Sequence, residues 1–216
     1  MKVFLLALFF LLTACSSKLP PNMWQYKTHN SYKSFEKYFL EYKLDLAAIE
    51  LKRAREYASQ SADLTTLAQI ELSSCALKVA LLETYTCKRF ESLETLVNSN
   101  KLTAYKHFLQ NTFNEEELSY LPDQYKEFAQ SRLALDTKQM QAEISKITPL
   151  TSKMIAASLI QDALSSELRK EILDEISFHG YTYGAIAWLT FEIERTKDEA
   201  QKKQLQEKLK IIYSLR

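Results

Sequence analysis

The chain has 216 residues, 46% hydrophobic and 25% charged, and carries a formal net charge of +1. That balance argues against the basic stripe with which nucleic-acid binders displace counterions, and equally against a polybasic patch for anionic lipid. Two glycines and four prolines are too few for a β-rich or loop-rich fold, and no glycine-rich loop is present to cradle a nucleotide phosphate.

The first element is a targeting segment. Lys2 precedes the unbroken apolar run Val3 to Leu12, the layout of a secretory signal. The run is too short to cross a bilayer, whose core needs about 20 apolar residues. Directly behind it, Leu12, Thr13, Ala14 and Cys15 resemble the lipobox of bacterial lipoproteins. The resemblance implies a diacylglycerol on the Cys15 thiol, removal of residues 1–14, and a body held on a membrane by lipid. Ser16 stands where the best-known sorting rule of that family favours the outer membrane over the inner, with the body in the periplasm. Buried methylenes contribute about 0.8 kcal/mol each, so two or more acyl chains make the attachment stable. Residues 15–30, with Pro20 and Pro21, are expected to form a lipidated tether, and residues 31–216 a helical domain divisible into two halves near 112–122.

From Ser31 to Ser59, Phe35, Phe39, Tyr42, Leu46, Ile49 and Ala54 recur at helical spacing. Asp63 reads as the N-cap of a second helix. That helix carries the cleanest stripe in the chain, Leu64, Ala68, Leu72, Cys75, Val79 and Leu82, which marks a packing seam. Phe90 to Val97 and Leu102 to Leu109 predict two shorter helices separated by Asn98, Ser99 and Asn100. Asn114 before Glu115, Glu116 and Glu117 predicts a capped acidic first turn, followed by a restart at Pro122. Tyr125, Phe128, Ala129, Leu133 and Leu135 continue one helical face towards Ile147, and Pro149 closes it. Beyond it the pattern predicts helices over Thr151 to Leu164, Ser166 to His179, Thr182 to Arg195 and Asp198 to Tyr213, with Gly180 as a left-handed terminator.

Cys75 lies on the apolar face of the second helix and Cys87 just past its end. In an oxidising compartment they are expected to form one intramolecular bridge, two buried free thiols being the alternative. Short helices joined by short turns make antiparallel hairpins. Ala47, Leu51 and Ala54, together with Gly184, Ala185 and Ala187 beside Trp188 and Leu189, resemble the small-residue crossings of tetratricopeptide repeats. That resemblance implies an all-α stack of hairpins, a short α-solenoid with divergent repeats. An irregular helical bundle stays open as the alternative.

His29, His107 and His179 lie in separate segments and read as surface or cap residues, so no metal site is proposed. Glu115 to Glu117, Asp162, Glu167, Glu171 and Asp174 read as solvated helix faces rather than as the carboxyl pair of a wall-cleaving enzyme. Five aromatics crowd one stretch: Phe178, Tyr181, Tyr183, Trp188 and Phe191. Packing between hairpins accounts for them, and so does a concave partner-binding surface, for which Tyr181, Tyr183, Trp188 and Phe191 are the candidate residues. The expected function is a non-catalytic interaction or assembly scaffold for another envelope protein, with no cofactor beyond lipid on Cys15. A peptidoglycan-active enzyme and a cell-wall tether are the alternatives.

Overall fold

The computed structural model describes residues 22–62 and 64–214. Cys15, the signal segment and Asp63 lie outside the described residues. Met23–Leu40 (α1) and Leu44–Ala58 (α2) form a hairpin. Helix α1 opens well before position 31, inside the stretch expected to be tether, because Thr28 and Ser31 are buried there although both are polar. Tertiary packing overrides their weak helix propensity.

The single helix expected over Ser31 to Ser59 is broken at Tyr42, which sits at φ 64°. Its N–H donates to the Phe39 carbonyl at 3.0 Å and that of Lys43 to the Tyr38 carbonyl at 2.8 Å. This is a left-handed helix terminator of the kind glycine usually supplies. The same paired bonds end helices at Leu82, Asn111, Leu135 and Gly180, with φ between 56° and 67°. A chain with two glycines thus turns corners on tyrosine, leucine and asparagine, against a cost of about 1–2 kcal/mol for an ordinary side chain in that region. Leu135 is 78% exposed and contributes little packing. Leu135→Gly is therefore expected to raise stability by about 1 kcal/mol, read as a higher urea midpoint; an unchanged or lower midpoint contradicts this account of the turn.

Thr65–Ala80 (α3) is the centre of the molecule. Ala68, Leu72, Ala76 and Ala80 are sealed on one side, while Ile70, Glu71 and Leu77 are buried elsewhere on its circumference. A helix buried nearly all round belongs inside a bundle, and α3 touches α1 and α2, and then α4 (Lys88–Val97), α5 (Asn100–Gln110) and α8 (Leu150–Ser158). The acidic turn Glu115–Tyr120 is a 3-10 helix closed by a reciprocal capping box between Asn114 and Glu117. It leads through Pro122 into α6 (Asp123–Leu133) and then α7 (Thr137–Lys146). The face expected to run on to Ile147 is thus two helices, parted at the Leu135 turn. The Thr151 to Leu164 segment is likewise shared between α8 and a 3-10 turn at Gln161–Ala163. Ser166–Phe178 (α9), Thr182–Arg195 (α10) and Glu199–Ser214 (α11) follow the expected spans closely.

The described residues are all-α, with helices packed in pairs. One cluster of buried residues runs from Leu40 to Phe191 and includes Phe113 and Leu121. Helix α10 also packs back onto α1 and the end of α3. The Tyr183 ring meets Phe39 at 5.4 Å and Tyr42 at 4.5 Å, and the Trp188 Nε1–H donates to the Ala80 carbonyl at 3.0 Å, across 108 residues of sequence. In a solenoid each hairpin contacts only its neighbours; this closure has the geometry of the irregular bundle instead. Gly184 makes the crossing close, since a Cβ there would stand 3.3 Å from both Ile176 Cγ2 and Met154 Cε. Among the described residues no helix is long and apolar enough to cross a membrane.

Candidate functional site

Cys75 projects from α3 and Cys87 caps α4, and the two form a disulfide with Cα atoms 5.8 Å apart. The bridge fixes the start of α4, and hence Lys88 and Arg89, against α3. Beside it, α1, α2, α3 and the first turn of α4 enclose a groove of about 370 Å³. Its apolar floor is Phe35, 4% exposed, with the Phe39 ring 5.7 Å away and Leu51 from α2.

Glu71 lies at depth in the same groove, 4% exposed. Burying a carboxylate is tolerable only with a hydrogen-bonded partner. Arg55 supplies it through two parallel bonds, Nε to Oε1 at 2.6 Å and Nη2 to Oε2 at 2.7 Å, the bidentate geometry that suits a guanidinium. Arg89 reaches the same carboxylate only at 3.9 Å, with its side chain 70% exposed. Lys78 and Lys88 line the groove, are exposed, and make no ion pair among the described residues. Four cationic side chains therefore surround one carboxylate that Arg55 has already neutralised. The surplus positive charge is a property of this place, since the whole chain carries only +1.

Two other polar clusters have the opposite character. In a cavity of about 400 Å³ lined by Tyr32, Tyr105, Tyr125 and Ser152, the Tyr125 hydroxyl is pushed up to about 12 by burial and shares hydrogen bonds with Ser152 and Tyr105. Its groups serve one another. Lys153, buried on α8, pairs with Glu171 at 3.0 Å and with Glu175, which locks α8 to α9. Burial disfavours its charge, but the two carboxylates outweigh that and hold its pKa above the usual lysine value.

The sequence-derived candidates scatter. Trp188 is 1% and Phe191 7% exposed, so neither lines an open surface; both seal α10 against the core, and this corrects their assignment as partner-binding residues. Tyr181 and Tyr183 are half-buried, and Tyr183 is occupied by Phe39 and Tyr42. Phe178, by contrast, projects into solvent, 88% exposed. His29 and His179 are exposed, while His107 contacts Glu117 through Nδ1 at 2.5 Å. Glu171, expected on a solvated face, is engaged by Lys153 because α8 packs on that side of α9. Among the described residues no three His, Cys, Asp or Glu side chains are grouped to hold a metal.

Sequence reasoning missed the groove because its cations come from three separate helices: Arg55 from α2, Lys78 from α3, Lys88 and Arg89 from α4. One signal was present. Lys78 follows Cys75 by three positions, and Lys88 and Arg89 follow Cys87 directly, so a bridge between the cysteines brings these cations to one place. No protein family, curated protein or solved structure matches this chain.

Proposed function

We propose that the chain is a bacterial lipoprotein, held on the periplasmic side of the cell envelope by lipid on Cys15. Its helical body serves as a non-catalytic scaffold that docks another envelope protein. The outer membrane is the favoured site, from Ser16 beside the lipidated cysteine. The observation that carries the docking role is the groove beside the Cys75–Cys87 bridge, whose aromatic floor lies under a rim of exposed lysines that make no ion pair among the described residues. Apolar centres with polar rims are how protein interfaces are built. Of the carboxylates considered for an envelope hydrolase, Glu117 is engaged with His107, Glu171 with Lys153 and Asp162 with Arg195, and Glu115, Glu116, Glu167 and Asp174 lie on helix faces with no ion pair among the described residues. That favours the scaffold over a peptidoglycan-active enzyme.

Affinity capture from detergent-solubilised envelopes tests this reading. The mature protein is expected to recover the same envelope protein in repeated experiments. Recovery of no specific partner overturns the scaffold role.

A further inference from the structure

The groove beside the disulfide has a charge and a shape that specify its occupant more narrowly than "another protein". We infer that it receives an acidic segment of a partner chain carrying a phenylalanine or leucine, with the apolar side chain on the Phe35, Phe39 and Leu51 floor and flanking carboxylates on Lys78, Lys88 and Arg89. This inference rests on the scaffold reading and names the chemistry of the partner.

Three observations carry it. First, Lys78, Lys88 and Arg89 are brought to one rim, and the single carboxylate that lines the groove with them, Glu71, is already engaged by Arg55, so the lining carries a net positive charge. Arg55 itself stays part of the wall. Second, the floor is recessed. Phe35 is almost wholly covered, so a flat lipid surface meets the exposed lysine tips and leaves the floor empty, whereas an extended chain reaches both. Third, the volume of about 370 Å³ falls within the roughly 300–1,000 Å³ of pockets that enclose a small ligand or a few side chains.

The disulfide has a part in this. Lys88 and Arg89 continue directly from Cys87, which is tied to α3. A preorganised rim loses less freedom on binding than a loose one, so the receptor is complete only once the bridge has closed. In a lipoprotein that condition is met after export.

The test uses the mature protein, purified without its acyl group as Cys15→Ala. The probe is a fluorescent peptide of glutamates interrupted by one phenylalanine and one leucine, read by anisotropy. Controls are the same peptide with lysine for glutamate, an all-glutamate peptide, and phosphatidylglycerol vesicles. The acidic apolar peptide is expected to bind. Lys78→Glu with Lys88→Glu, both exposed and unpaired so that the fold is undisturbed, is expected to weaken it by about tenfold or more, as two attractions become repulsions. Raising ionic strength from about 0.1 M to about 1 M, which shortens the Debye length from about 10 Å to about 3 Å, weakens it too. The Cys75→Ser, Cys87→Ser protein binds several-fold more weakly.

Equal binding by the lysine peptide, or indifference to the two charge reversals, overturns the proposal. So does equal binding by the all-glutamate peptide, which would make the floor irrelevant. Vesicle binding that depends on Lys78 and Lys88, without peptide binding, also overturns it and makes the rim a lipid contact. If envelope capture still recovers a partner that the charge reversals leave in place, this inference fails while the scaffold reading stands. If capture recovers nothing, the scaffold reading itself has failed.

Discussion

Replacing Trp188 with alanine is expected to lower stability by about 4–5 kcal/mol, an exceptional loss for one substitution. The side chain is 1% exposed, packs against Phe191 at 6.0 Å between ring centres, and donates its indole N–H to the Ala80 carbonyl at the end of α3. Truncation removes the buried ring, leaves a cavity, and strands that carbonyl. Domains of this kind are stable by about 5–15 kcal/mol in all, so much of the reserve is lost. Trp188→Phe keeps part of the apolar contact but drops the hydrogen bond and leaves a smaller cavity, for an expected loss of about 2–3 kcal/mol. Phe178→Ala is the control: that ring is 88% exposed and its loss is expected within about 0.5 kcal/mol. Urea unfolding followed by circular dichroism reads all three. A Trp188→Ala protein as stable as Phe178→Ala would mean that α10 is not sealed onto α3.

Opening the Cys75–Cys87 bridge has the next largest expected consequence. The bridge closes a loop with a sequence separation of 12, and tying such a loop lowers the entropy of the unfolded chain by an amount equivalent to about 3 kcal/mol. In a domain of this size that corresponds to a fall of about 10 °C in Tm, for the double serine variant or for reduction of the native protein. Thiol titration of denatured Cys15→Ala protein recovered from the soluble periplasmic fraction is expected to find no free thiol until a reductant is added. Two titratable thiols before reduction, or a Tm indifferent to reductant, contradicts the bridge.

The all-α class was legible in the sequence because it rests on quantities that survive without tertiary information. Glycine and proline scarcity, the Leu64 to Leu82 stripe, and the Asn114 and Pro122 punctuation all act within a few residues of themselves. The Cys75–Cys87 pair belongs with them, since one cysteine lies in the last turns of α3 and the other at the start of the next helix, only 12 residues on. What was not legible depended on long-range packing. Tyr42, Leu82 and Leu135 hold left-handed turns that no local rule assigns to tyrosine or leucine, so one expected helix became two. Trp188 looks like an interface anchor by residue type, and only the return of α10 to α3 shows it to be core. That return also separates the closed bundle from the open stack of hairpins suggested by Ala47, Leu51, Ala54 and Gly184. The groove cations did not show in the composition for the same reason, because a surplus of three charges at one place disappears in a chain whose total is +1.

Small residues allow close helix approach in this fold. Ala47 is buried on α2 with Phe35 and Leu77, Ala54 with Ala58 and Ile70, and Gly184 lets α10 pass close over α8 and α9.

The proposed attachment of the body by lipid underlies the proposed function, since that address would account for both the oxidised bridge and an envelope partner. Growing cells labelled with radioactive palmitate, with membranes separated from the soluble fraction, test this directly. The protein with Cys15 is expected to take up label and sediment with membranes, and Cys15→Ala to lose both the label and the membrane. A Cys15→Ala protein that stays fully membrane-bound, or a native band that never takes up label, contradicts lipid attachment at Cys15.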